Sequence, residues 1–146
     1  IADFSVNYAY NTGDVTFGNI SGSKTADSNV VSATYGSYGS GLYLAGVYAM
    51  NNYMNKTSTG ALEETTAVEL LAAYALSNSL NLSVNYEAVE DEKLNETVYS
   101  TTAVQAEYNF TSQFVGFAGY QFDLQGSGTY KAKADDQWLL GARYYL

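Results

Sequence analysis

The chain has 146 residues and a net charge of −9, with 47% hydrophobic but only 14% charged residues, against about 25% charged in ordinary soluble domains. It contains no Cys, no His and no Pro, which excludes disulfide scaffolds, Cys/His zinc sites and every mechanism that needs an imidazole or a thiolate. The acidic balance argues against a nucleic-acid partner, and apolar runs such as Ala72–Leu76 fall far short of the roughly 18–20 residues of a transmembrane helix.

Tyrosine and glycine, 15 and 13 residues, stand where a globular core would carry Leu, Ile and Met. No segment sustains a helical i, i+3, i+4, i+7 pattern; the recurring period is two, and Tyr, Val and Thr favour strands. Phe4–Tyr10 forms the first expected strand. Strands near 29–37 and 41–50 flank a turn at Tyr38-Gly39-Ser40. Strands near 66–76 and 80–89 flank Ser77-Asn78-Ser79. The clearest hairpin spans 98–110 and 114–124 around Thr111-Ser112-Gln113: in Val104–Phe110, Val, Ala, Tyr and Phe share one face while Gln105, Glu107 and Asn109 share the other. Gln137–Leu146 closes a single unit of eight strands over 1–146. The best-patterned strands run about ten residues, longer than the usual 5–6 and matched to the 9–11 that cross a bilayer.

The connections alternate in length. The turns at 37–40, 77–79 and 111–113 are short. Asn11–Ser28, Asn51–Thr65, Glu90–Glu96 and Gln125–Asp136 are longer and polar, and hold most of the charge. Sorting loops by length onto two ends is the layout of an antiparallel transmembrane β-barrel; a soluble sandwich has no reason to do so. Alternation then gives each strand a lipid face and a lumen face. Phe4, Tyr10, Tyr35, Tyr48, Tyr74, Tyr86, Tyr108, Tyr120, Trp138 and Tyr144 are expected as lipid-facing girdle aromatics near strand ends, with small aliphatics between them. Glu69, Glu87, Gln105, Glu107, Gln121, Asp123 and Arg143 are expected on the inward, pore-lining face.

The residues also carry a family resemblance. Leu42–Tyr48, Val68–Leu76 with Leu80–Glu87, the hairpin Val104–Leu124 and the ending Asp135–Leu146 resemble, in order and spacing, the last eight strands of the Gram-negative general porins. The closing set Trp138, Leu140, Ala142, Tyr144 and Leu146 is similar to the terminal signal read by the barrel assembly machinery, Leu146 standing where the family usually ends in Phe. The resemblance implies the C-terminal half of a sixteen-stranded barrel in the bacterial outer membrane. It implies a homotrimer, surrounded by outer-membrane lipid and lipopolysaccharide, that passes small hydrophilic solutes. The family's constriction lies mainly in the other half, so no constriction residue is carried over.

Barrel width arbitrates between a whole and a half. Eight strands enclose an interior filled by side chains, whereas sixteen leave an aqueous channel. The inward strand faces carry four carboxylates against Arg143 alone, a surplus costly in a sealed core and cheap in a wet lumen. Val47, Leu71, Val115, Phe117 and Leu139 also point inward and would suit a small core. No signal peptide is evident, so the chain is expected to begin at a mature end or partway along a longer one.

Other candidates are weaker. Glu90-Asp91-Glu92 and Glu63-Glu64 read as solvated loop charge, or as sites for divalent cations bridging lipopolysaccharide. Glu87 and Glu107 resemble an acid/base pair only loosely, and nothing sets their separation. Arg143 is a pore-wall charge or a partner for Glu107 or Asp123. No catalytic residue, metal site or cofactor is assigned, and an enzyme is disfavoured. Two function classes remain: a porin segment for passive diffusion, and a small non-conducting eight-stranded barrel with an adhesion or structural role through its outer loops.

Overall fold

The computed structural model describes residues 3–18, 22–58, 60–77, 79–132 and 134–146, so the expected turn residue Asn78 lies outside the described residues. Among the described residues ten strands form: β1 (Phe4–Thr16), β2 (Ser23–Ser37), β3 (Ser40–Asn52), β4 (Lys56–Thr57), β5 (Gly60–Ala61), β6 (Glu64–Ala75), β7 (Leu80–Asp91), β8 (Glu96–Asn109), β9 (Phe114–Asp123) and β10 (Gln137–Tyr144). β4 and β5 make a small separate hairpin. The other eight form one antiparallel sheet in the order β1-β2-β3-β6-β7-β8-β9-β10, with sequential neighbours throughout. The all-β, eight-stranded reading therefore holds. The sheet is open, with β1 and β10 as its edges.

Several boundaries differ from the alternation pattern, mostly at the long-loop end. β1 continues to Thr16 and β2 begins at Ser23, so most of the expected loop 11–28 is ladder. β7 runs through Asp91 and β8 starts at Glu96, which shortens the expected loop Glu90–Glu96 to four residues. Beyond the apolar band both faces meet polar surroundings, so the ladder continues after its alternation has faded. β10 stops at Tyr144, and Leu146, expected on the closing strand, lies past its end.

Two of the short turns are closed by their own side chains. Ser77 Oγ accepts from the backbone N–H of Ser79 and Leu80 at 3.3 and 3.2 Å. Thr111 Oγ1 does the same for Gln113 and Phe114 at 3.2 and 3.0 Å. Such hydroxyl-to-backbone bonds replace ladder bonds where the chain reverses.

The sheet has no conventional core. Among the described residues the buried apolar ones are Ala26, Leu62, Ala73, Ala88, Val89 and Val115, and no large side chain is fully buried. One face instead exposes a continuous apolar surface. Cross-strand register runs Phe4–Tyr35–Leu44–Ala72–Val84–Val104–Tyr120–Trp138, with Leu42–Tyr74–Leu82–Ala106–Ala118–Leu140 beside it. Trp138 and Leu140 are 75% and 72% exposed. The opposite face carries Ser5–Thr34–Ala45–Leu71–Asn85–Ala103–Gln121–Gln137. This sidedness depends on register, since a slip of one residue exchanges the faces.

One glycine is demanded by that register. At the bulge between Tyr35 and Ser37, Gly36 adopts φ +80°, and a Cβ there would collide with the backbone oxygen of Leu42. Glycine in the left-handed region is the residue such a bulge selects. Gly36→Ala is expected to destabilise the folded sheet by about 1–3 kcal/mol. Urea titration of the folded, heat-modifiable band on a gel would read this as a lower midpoint; an unchanged midpoint would contradict the assignment.

Candidate functional site

The seven inward candidates share one face. Glu69 stands directly opposite Glu87, Asn81 opposite Glu107, Ser83 opposite Gln105, Thr101 opposite Asp123 and Gln121 opposite Gln137, while Arg143 pairs with Val115 of β9. Nearer the long-loop end the register adds Lys24, Asp91 and Glu96 to the same face. The ten girdle candidates all lie on the other face.

The polar face is concave. Tyr38, in the β2–β3 turn, packs edge-on against Tyr43 of β3 with ring centroids 5.8 Å apart. Its hydroxyl nevertheless donates to Glu107 Oε1 of β8 at 2.9 Å. β3 and β8 are separated by β6 and β7, and three strand spacings amount to about 14 Å in a flat sheet. Tyr and Glu would span it only if both lay flat along the sheet, whereas strand side chains stand off its surface, so the sheet curls toward this face and the turn leans over it.

Glu107 is the hub of the concave face. Its side chain is 12% exposed, and its Oε2 accepts from the guanidinium of Arg143. Arg143 reaches from β10 across β9, with its guanidinium carbon 5.1 Å from the centroid of the Phe117 ring. Phe117 in turn lies over Gly141, its cross-strand partner, in the space a Cβ would fill. The structure thus selects Glu107, not Asp123, as the partner of Arg143. Cation–ring stacking and a charge-assisted hydrogen bond together fix the guanidinium.

The other carboxylates have different surroundings. Glu87 accepts from the Tyr99 hydroxyl at 2.6 Å and faces Glu69 across the strand pair. Two like charges directly opposite repel, and only a solvated or cation-rich setting makes the arrangement cheap. Asp123 accepts the backbone N–H of Ala134 at 2.6 Å and that of Gln125 at 3.2 Å. Glu87 and Glu107 lie on adjacent strands, but Glu87 pairs with Thr101, six residues along β8 from Glu107. That offset of about 20 Å removes any acid/base pair between them.

The acidic loop residues are more ordered than solvated charge would be. Asp91 is 4% exposed and accepts from the backbone N–H of Lys93 and Leu94 and from the Tyr130 hydroxyl, the last at 2.6 Å. Glu90 and Glu92 accept from the hydroxyls of Thr97 and Thr66. Glu64, at 3.0 Å, and Glu63 behind it hold the Lys93 ammonium above its ordinary pKa. Among the described residues no three carboxylates converge as a metal site. The 3-10 turn Gly128–Tyr130 is fastened to the sheet by Glu96 Oε2, which accepts the Thr129 N–H at 2.7 Å, and by the Tyr130–Asp91 bond.

No protein-family profile matches the chain. It is similar to the porin-like protein L of Photobacterium profundum, 30% identical over 112 residues that cover 72% of this chain and 32% of that protein. It is also similar to outer membrane protein U of Vibrio parahaemolyticus, 32% identical over 114 residues, 70% of this chain and 32% of that protein. The chain spans about a third of the length of the curated relatives it matches. These likenesses bear out the porin resemblance. With the eight-stranded sheet they give an outer-membrane β-barrel protein, although the sheet here is not closed. One relative is named a porin-like protein and the other an outer membrane protein, and neither name is an enzyme's.

The docking of the 124–136 loop has a pH signature. The hydrogen bond to Asp91, then burial, pushes the Tyr130 hydroxyl up to about 12 from its ordinary 10.0. Because the folded pKa is raised, the stabilisation is complete below pH 10 and is lost as pH rises from 10 toward 12. A spin label on Thr129→Cys, in this cysteine-free chain, should gain mobility across that window. In a Tyr130→Phe background, which keeps the Glu96–Thr129 bond, the label's mobility should no longer change across that window. A label equally immobile at pH 9 and pH 12 would contradict this.

Proposed function

We propose that the chain is part of a wide outer-membrane porin whose concave face lines a water-filled lumen for passive diffusion of small hydrophilic solutes and ions. The observation that carries this reading is the sheet's two-sidedness. An exposed apolar face of this extent, from Phe4 to Trp138 across eight strands, far exceeds the few hundred Å² tolerated in water. Lipid is the solvent that suits it. Girdle aromatics bracket the band: Phe4 and Tyr10, Phe114 and Tyr120, and Trp138 and Tyr144 are each six residues apart, about 20 Å along the strand. Small residues such as Ala118 and Ala142 lie between.

The open edges support a wider barrel over the small non-conducting alternative. β1 and β10 each have a single strand neighbour, and unpaired backbone groups are not tolerated in hydrocarbon. Further strands completing a sixteen-stranded barrel would satisfy both edges and leave an aqueous interior. Glu69 opposite Glu87 also suits a wet lumen better than a packed one. In this reading outer-membrane lipid and lipopolysaccharide surround the convex face. The set Trp138, Leu140, Tyr144 and Leu146 serves recognition by the barrel assembly machinery, and the complete protein assembles as a homotrimer.

In planar bilayers the full-length barrel is expected to conduct steadily and to favour cations. The concave face carries Glu69, Glu87 and Asp123, and the ion pairs among the described residues engage other carboxylates. That preference should weaken between 0.1 and 1 M salt, as the Debye length falls from about 10 to about 3 Å. A non-conducting barrel would overturn the porin reading, and anion preference would overturn the charge argument. Separately, Val84→Arg on the convex face should cost about 2–4 kcal/mol, while Ser83→Arg on the concave face should cost far less; equal loss of folded protein would contradict the assignment of faces.

A further inference from the structure

We infer that Tyr38, Glu107 and Arg143 form a bridge across the short-turn end of the concave face and set a second constriction there, an inference that rests on the porin reading above. Tyr38 extends from the β2–β3 turn, held edge-on by Tyr43, and its hydroxyl reaches Glu107 on β8 at 2.9 Å. The other carboxylate oxygen of Glu107 takes the guanidinium of Arg143 on β10. The contacts therefore run from the edge of β3 to β10, over the intervening strands β6, β7 and β9.

The bridge stands between two cavities. One, of about 670 Å³, opens toward the turns and is lined by Ser79, Asn81 and Tyr145. The other, also about 670 Å³, lies toward mid-strand and is lined by Ser83, Gln105 and Gln121. Tyr38, Glu107 and Arg143 line both. A solute moving along the concave face toward the short turns must pass this row.

The chemistry of the bridge defines what it discriminates. Glu107 and Arg143 form a neutral pair, and the Tyr38 hydroxyl is uncharged. The row therefore selects by size and not by sign. It also withdraws Glu107 from the acidic wall and leaves cation attraction to Glu69, Glu87 and Asp123. Pinning both ends of the row on a rigid sheet makes it a fixed obstruction, since Phe117 over Gly141 blocks the guanidinium from folding down. Constriction by a few lining side chains is how channels set their passage limit.

The test uses the full-length barrel in planar bilayers and in liposome swelling with neutral sugars of increasing size. Tyr38→Ala is expected to raise single-channel conductance roughly 1.5-fold and to admit larger sugars. Tyr38→Phe keeps the ring but loses the anchor, so it should fold as the native protein does and give a noisier open-channel current. Arg143→Gln should shift the reversal potential toward stronger cation preference by releasing the Glu107 charge. A native barrel that conducts, with Tyr38→Ala and Tyr38→Phe indistinguishable from it in conductance, noise and sugar limit, overturns the bridge alone. A native barrel that passes no current overturns the porin reading and the bridge together.

Discussion

Backbone hydrogen bonding across the antiparallel ladder is the constraint on which the rest of this molecule depends. The buried apolar residues are few and small, with Ala26, Ala73, Ala88 and Val89 among them. Burial of a core cannot hold such a sheet together. With the convex face in lipid, as proposed, no water is present to take an unpaired N–H or C=O, so each strand must satisfy its neighbours. Register then becomes the fold itself. It keeps Val84, Leu70 and Tyr120 on one side and Glu69, Ser83 and Gln121 on the other, and a single slip would invert that division.

The concave face inherits its chemistry from the same ladder. Glu107, Phe117 and Gly141 lie in one cross-strand row on β8, β9 and β10. Only because Gly141 leaves space can Phe117 lie flat, and only over Phe117 can Arg143 reach Glu107. Glu69 and Glu87 are brought together by the pairing of β6 with β7 and have no such mediator. Carboxylates of similar sequence context thus differ in their partners according to what the neighbouring strand puts beside them.

Period-two alternation made much of this legible. In Val104–Asn109 every second residue is polar, and the hairpin, its turn at Thr111 and the shared face of Gln105 and Glu107 follow from that alone. The porin resemblance was likewise legible in the closing hairpins. Other features need the third dimension. β1 beyond Tyr10 and β2 before Asn29 are ladder without apolar alternation, so they read as loop. Asp91 looks like one member of a charge run, yet it is buried because Tyr130, distant in sequence, folds back onto it. Tyr38 reads as a turn residue, for its partner Glu107 is 69 residues away. Local periodicity encodes which face a residue takes but not how strongly the sheet curls.

The central claim is that the convex face meets lipid and the concave face meets water. A spin-label scan along β7 of the full-length protein in bilayers tests it most directly, on a chain segment that contains no native cysteine. Single cysteines at positions 82 to 87 should alternate in accessibility. Labels at Leu82, Val84 and Tyr86 should collide with oxygen dissolved in the bilayer, and labels at Ser83, Asn85 and Glu87 with a water-soluble nickel chelate. Uniform accessibility along the strand, or alternation of the opposite phase, would contradict the account.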